Sequence, residues 1–153
     1  MDQFDRKILS CLQNDATEPV AEIARQVGLS ATPCWRRIQK LETAGVIRKR
    51  VALLDGERLN LGVTVFVAVR TNRHDSDWLD TFAAAVAEFP EVVEFYRMSG
   101  EMDYLLRVVV PDIAAYDRVY KRLIARVALA DVTSSFAMEQ IKYTTALPLD
   151  YVG

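Results

Sequence analysis

Histidine is almost missing from this chain of 153 residues: there is one, His74, and cysteine occurs only twice, at Cys11 and Cys34. Two thiols are too few for a disulfide framework. Each falls inside an apolar helical pattern, which reads as a reduced, buried side chain, and burial would leave Cys34 inert. No Cys/His cluster has zinc-binding spacing, no glycine-rich loop cradles a phosphate, and no Ser-His-Asp order is evident. Long apolar runs are also absent. None nears the roughly 18 residues that a membrane span needs, and the opening "MDQFDRK" has neither a basic n-region nor an apolar stretch. The expectation is a cytoplasmic protein without metal, cofactor or membrane partner.

What is present is an ordinary core composition, 51% apolar and 26% charged, enough for one domain or two small ones. The formal net charge of -2 hides an asymmetry. Residues 1–54 carry nine Lys/Arg against six Asp/Glu, while the rest carries ten against fifteen. Between Arg36 and Arg50 six basic residues face the single acid Glu42. A polyanion would meet the N-terminal part.

That part reads as three short helices. Phe4, Ile8, Leu9 and Leu12 stripe residues 2–14, and Asn14-Asp15 can end the helix. Pro19 suits a first turn, followed by Val20, Ile23, Ala24 and Val27, with Gly28 as the terminating residue. In "LSATPCWRRIQKLETAG" Ser30 can cap a third helix, over about 31–43, that buries Cys34, Ile38 and Leu41. With "VGLS" as the tight turn, this is a helix-turn-helix pattern. Its outer face then carries Thr32, Trp35, Arg36, Gln39 and Lys40, groups suited to base edges and phosphates, with Ser30 and Arg37 as further candidates. The plain alternative is a solvated helix face with one aromatic belonging to the core. The following "VIRKRVALLD" reads as a strand bearing Arg48, Lys49 and Arg50, a basic wing beside the third helix.

From Val63 the period changes. "VTVFVAVR" reads as a strand, "SDWLDTFAAAVAEF" as a helix with Leu79, Phe82, Val86 and Phe89 inward, and "EVVEFYRM" and "DYLLRVVV" as strands. Ile113, Tyr116, Tyr120, Leu123, Ile124 and Val127 stripe a second helix, and "DVTSSFAMEQIKY" reads as the last strand. The order βαββαβ is ferredoxin-like, with the first and third strands central. The predicted class is α+β: a winged helix-turn-helix over 1–50, a linker strand or hinge over 51–62, and a ferredoxin-like domain over 63–153. Both helices cover one sheet face, so the other needs a second copy of the chain; the expectation is a homodimer reading a roughly palindromic duplex site.

Together, "IARQVGLSATPCWRRIQKLETAGVI", a linker and a βαββαβ domain bearing "SGEMDY" resemble the Lrp/AsnC, or feast/famine, family of transcription regulators over essentially the whole chain. The family's Gly-x-x-Asp-aromatic element matches Gly100, Asp103 and Tyr104. "TPCWRR" and "DVTSSFAMEQIKYTTALPL" are most similar to the subgroup that regulates cysteine detoxification and responds to L-cysteine. The resemblance implies a RAM-type effector domain, a dimer assembling further, often to an octamer, and an amino acid bound between C-terminal domains. A zwitterion needs an ammonium acceptor, carboxylate donors and a side-chain pocket. Met98, Ser99, Gly100, Glu101, Asp103 and Tyr104 are candidates, with Thr133, Ser134 and Ser135 as hydroxyl donors. Alternatively, "SGEMDY" is only a hairpin turn, and the three hydroxyls are exposed strand residues. Sirohaem decarboxylases resemble the same family, but they rely on several histidines; here His74 stands alone in the polar loop "TNRHDSD" and reads as a surface residue. A ligand-binding assembly protein that has lost DNA binding is the other alternative; the basic outer face of the third helix argues against it.

Overall fold

The computed structural model describes residues 1–73 and 75–152. His74 lies outside them, and so does the expectation placed on it. The chain folds as two compact units, Met1–Leu53 together with Ile141–Gly153, and Leu54–Gln140.

In the first unit, α1 (Gln3–Asn14), α2 (Val20–Val27) and α3 (Ala31–Thr43) fall where the apolar spacing placed them. α1 opens on a reciprocal cap: the Asp2 carboxylate accepts the Asp5 N–H at 2.9 Å, and the Asp5 carboxylate accepts the Asp2 N–H at 3.1 Å. Gly28 ends α2 at φ +78°, and the next N–H, that of Leu29, closes onto the Ala24 carbonyl at 2.8 Å. A Cβ at Gly28 would meet nothing within 4 Å, so the demand for glycine is conformational rather than steric. Ile8, Leu9 and Leu12, then Ile23, Ala24 and Val27, then Cys34, Ile38 and Leu41 form one buried cluster. At roughly 1.5–3 kcal/mol for each large aliphatic side chain, this burial holds three helices too short to persist alone.

Residues 141–153, which the sequence assigned to the second domain, lie with this unit. Leu149 packs on the helical cluster, and the Gln13 amide exchanges two hydrogen bonds with the Leu147 backbone at 3.0 and 3.1 Å.

The second unit holds a short 3-10 turn, Glu57–Leu59, then β1 (Val63–Arg70), α4 (Ser76–Ala87), β2 (Val92–Arg97), β3 (Tyr104–Val110), α5 (Ile113–Arg126) and β4 (Asp131–Phe136). The strand order is β2-β3-β1-β4 and every neighbouring pair is antiparallel. β1 and β3 are thus central, as their apolar character required, and the unit is ferredoxin-like within an α+β fold. Val65, Val67, Val69, Leu106, Val108 and Val110 point to the helices and are buried. Asp75 caps α4 and Asp112 caps α5 through the backbone N–H groups of Trp78 and Ala115.

The structure departs from the sequence expectations at four places. Residues 48–55 form no regular strand, so the wing and linker strand are not built within the chain; the sheet found among the described residues ends its pairing inside 63–136 and offers that segment no ladder. β4 stops at Phe136 instead of running to Tyr143, because β1 offers paired residues only as far as Val65. The α5 stripe is rotated: Ala115, Tyr116, Val119 and Leu123 are buried, whereas Ile113 is 69% exposed and Ile124 faces solvent. Ile113 is the first residue of the helix, beyond the edge of the sheet-facing stripe. In α4 the buried ring of Trp78 joins Phe82 and Val86, and Leu79 is only partly buried.

Candidate nucleic-acid interface and effector hairpin

With Cys34, Ile38 and Leu41 turned into the core, helical geometry presents Thr32, Trp35, Arg36, Gln39 and Lys40 to solvent, and all five are exposed. Trp35 is 52% exposed, so its indole belongs to this face and not to the core. Ser30 occupies the N-cap position with extended backbone, but its hydroxyl makes no capping bond and stays available to a ligand.

The six basic residues of 36–50 divide into two groups. Arg36, Lys40, Arg48 and Lys49 are exposed and make no ion pair among the described residues. Arg37 and Arg50 are occupied. The Arg37 guanidinium reaches the Asp2 and Asp5 carboxylates, both at 2.7 Å, and lies over the Phe4 ring at 5.4 Å. Hydrogen bonding, first to Asp5 and then to Asp2, pushes its pKa up from the ordinary arginine value. Arg37 therefore ties α3 to the start of α1, and its place among the DNA-facing candidates is corrected accordingly. Arg50 pairs with Glu42 at 2.9 Å. Sequence reasoning missed both anchors; the Asp2-x-x-Asp5 spacing of a capping box was the available signal for the first.

The hairpin joining β2 to β3 is built around Asp103. Its carbonyl accepts the Met98 N–H at 2.8 Å, its N–H donates to the Val69 carbonyl at 3.0 Å, and its carboxylate accepts the Thr71 N–H at 2.8 Å. Arg70 donates through Nε to the Glu101 carbonyl. Gly100 sits at φ +111° with open space around it, a backbone conformation that side-chain-bearing residues avoid. Met98, Ser99, Gly100 and Glu101 are exposed at this end of the sheet. Buried Thr71, which carries one side of the hairpin, gave no signal in the sequence.

Strand alternation separates the other candidates. Tyr104 is 5% exposed and packs against Trp78, Phe82 and Phe95 with centroids 5.4–5.7 Å away, so it supports the hairpin from the core and offers no surface. Ser134 likewise turns to the helices and hydrogen-bonds the Tyr116 hydroxyl, whose pKa burial pushes up. Thr133 and Ser135 take the opposite face, beside Ala68 and Phe66, and are exposed. The period of two places Ser134 apart from its neighbours.

Burial also raises the pKa of both thiols, Cys11 and Cys34, which holds them protonated. No group of three or more His, Cys, Asp or Glu among the described residues could hold a metal, and no helix is long and apolar enough to cross a membrane.

Two family models match the chain: "AsnC-type helix-turn-helix domain" over residues 1–42 and "Lrp/AsnC ligand binding domain" over residues 64–147. The "Glutamate uptake regulatory protein" of Zymomonas mobilis subsp. mobilis is 54% identical over 149 residues, covering 97% of this chain and 91% of that protein. The "DNA-binding transcriptional activator DecR" of Escherichia coli (strain K12) is 52% identical over 151 residues, 98% of this chain and 99% of that one. A solved transcriptional regulator from Neisseria meningitidis, in complex with L-methionine, superposes with a TM-score of 0.93 at 39% identity, covering 98% and 97% of the two chains. A reading head and a ligand-binding domain in this order, matched nearly end to end, place the chain in the Lrp/AsnC family of transcription regulators.

Proposed function

We propose that this protein is a cytoplasmic, sequence-specific regulator of transcription whose assembly or DNA binding is modulated by a small amino acid. The observation that carries the DNA half is a set of four exposed cations with no ion pair among the described residues: Arg36 and Lys40 on the outer face of α3 with Thr32, Trp35 and Gln39, and Arg48 and Lys49 in the segment that follows it. Cations tied up in ion pairs would be solvated surface; these are available to phosphates, and the polar groups between them to base edges. Ser30 would add a backbone-phosphate contact at the start of α3. The named relatives are regulators, which favours this reading over an enzyme of the sirohaem-decarboxylase kind.

The amino-acid half is supported by the L-methionine complex of the Neisseria relative and by the exposed hairpin end of the sheet, where Met98, Ser99, the backbone around Gly100, Glu101 and Asp103 lie at the same end as Thr133. L-cysteine is the first effector to test, on the resemblance to the cysteine-detoxification subgroup. A homodimer is favoured by the sheet face opposite the helices, where Phe66 is 39% exposed and Leu105 and Val109 lie alongside. A two-fold dimer would read a roughly palindromic site; an octamer is the larger assembly that the family resemblance suggests.

The test is a mobility-shift titration on the protein's own promoter at several salt concentrations. Four phosphate contacts per head predict log K falling against log salt with a slope of roughly -3 to -4 per bound head. No shift, or a shift indifferent to salt, overturns the reading. Calorimetry against the amino acids identifies the effector; heat from another amino acid and none from cysteine removes the cysteine assignment.

A further inference from the structure

Glu42 is the single acid in the basic segment 36–50. Left free, it would repel the phosphates that the surrounding cations attract. Instead its carboxylate is held at both ends. Oε1 accepts from Arg50 Nη2 at 2.9 Å, and Oε2 accepts from Gln39 Nε2, also at 2.9 Å. Glu42 is 34% exposed at the side of α3, whereas Gln39 lies on the exposed outer face between Trp35, Arg36 and Lys40.

An exposed ion pair of this kind adds little stability, so its consequence is orientational. A solvent-facing glutamine samples several rotamers, and ordering it on contact with a ligand costs entropy. With one amide hydrogen fixed on Glu42, the Gln39 amide plane is set before any ligand arrives. With the hydrogen trans to the carbonyl given to Glu42, the amide still offers its cis N–H donor and its carbonyl acceptor side by side. That pair is the complement of the adenine edge in the major groove, which presents N7 as acceptor and N6–H₂ as donor.

We infer that Arg50, Glu42 and Gln39 form a specificity relay: Glu42 is a positioning residue that presets Gln39 to read adenine, and Arg50 holds Glu42 in place while cancelling its charge. The inference rests on the reading of α3 as the DNA-reading helix. It assigns Arg50 to the relay instead of to a phosphate, and it explains why an acid is tolerated in the basic segment.

The experiment selects binding sites from a random duplex pool with the full chain, wild type, Glu42→Ala, Glu42→Gln and Gln39→Ala. Each protein is then titrated at several salt concentrations against the selected duplex, the same duplex with the selected adenine replaced, and an unrelated duplex. Wild type is expected to enrich adenine at one position per half-site and to prefer it about tenfold or more. Glu42→Ala and Gln39→Ala lose most of that preference. In Glu42→Ala, affinity for the unrelated duplex rises and the salt slope steepens by about one, because Arg50 is released to a phosphate. Glu42→Gln, whose amide oxygen still accepts from Gln39, keeps the preference. A purely structural role for Glu42 would weaken binding to all duplexes in parallel and lower the thermal midpoint, and that result overturns the relay. So does a Glu42→Ala protein with wild-type base preference. A wild type that enriches no sequence overturns instead the reading of α3 on which the relay rests.

Discussion

Arg36 and Arg37 are neighbours in the sequence and face different tasks in the fold. Arg36 is exposed and unpaired among the described residues, whereas Arg37 bridges two carboxylates of α1 and covers Phe4. Replacing Arg36 by alanine should weaken DNA binding several-fold and flatten the salt slope by about one, with the melting temperature unchanged. Replacing Arg37 should instead lower the thermal midpoint by a few degrees and leave the slope as it was; circular dichroism and fluorescence anisotropy separate the two outcomes. The same anchor has a pH sign. The Asp2 carboxyl is held below its ordinary pKa, chiefly by the Asp5 N–H and then by Arg37. A depressed folded-state value means that this stabilisation is complete above about pH 4 and is lost as the pH falls through the depressed value. The thermal midpoint of an Asp2→Asn protein should therefore fall less steeply than that of wild type as the pH is lowered below about 4, and an unchanged profile would remove Asp2 from the account. At the hairpin, Asp103→Ala removes the acceptor of the Thr71 N–H and, with it, a carboxylate that could accept from the effector's ammonium. Calorimetry should show loss of amino-acid binding, and a mobility shift should show basal DNA binding intact.

The elements divide by how local their causes are. α1, α2 and α3 were legible because an apolar stripe, a capping residue and Gly28 are properties of adjacent residues. β1, β2 and β3 were legible from their own apolar runs, and their order in the sheet followed from the βαββαβ succession and not from any one segment. The wing was not legible, because "VIRKRVALLD" has strand composition but a strand exists only against a partner, and the chain provides none at 48–55. The end of β4 was set in the same way, by where β1 stops pairing. At the site, the outer face of α3 followed from helical period, whereas Arg37's engagement with Asp2 and Asp5 joins residues far apart in sequence and no local pattern encodes it. Tyr104 and Ser134 were drawn into the candidate site by motif and position; strand alternation turns both to the core side. The tail belongs to this second class. Leu149 and the Gln13–Leu147 bonds fasten residues 141–153 to the helical unit. Leu149→Ala should destabilise that unit by about 1–2 kcal/mol, given partial burial, and a urea titration followed through Trp35 would read it. An unchanged midpoint would show that the tail contact contributes nothing.

On the scale of the molecule, opposite net charges on residues 1–54 and 55–153 match the two tasks proposed for them, one part for a polyanion and one for a zwitterion and a second copy. Phe66 lies at the middle of the open sheet face, opposite Arg107 on β3 and Ser135 on β4. Phe66→Glu should shift the protein from dimer to monomer in sedimentation equilibrium at micromolar concentration, because it buries a charge without a partner at the proposed contact. A variant that stays dimeric would move the interface elsewhere. Binding of an amino acid matters to transcription only if it is coupled to binding of DNA, and the coupling is reciprocal: whatever factor the effector imposes on DNA affinity, DNA imposes on effector affinity. The most direct measurement is therefore the DNA-binding isotherm of the full chain on its selected duplex, without effector and then with each amino acid in turn. At least one, L-cysteine first, should change the dissociation constant about fivefold or more, and calorimetry of that amino acid on the DNA-bound protein should return the same factor. Isotherms that superimpose for every amino acid would contradict the account.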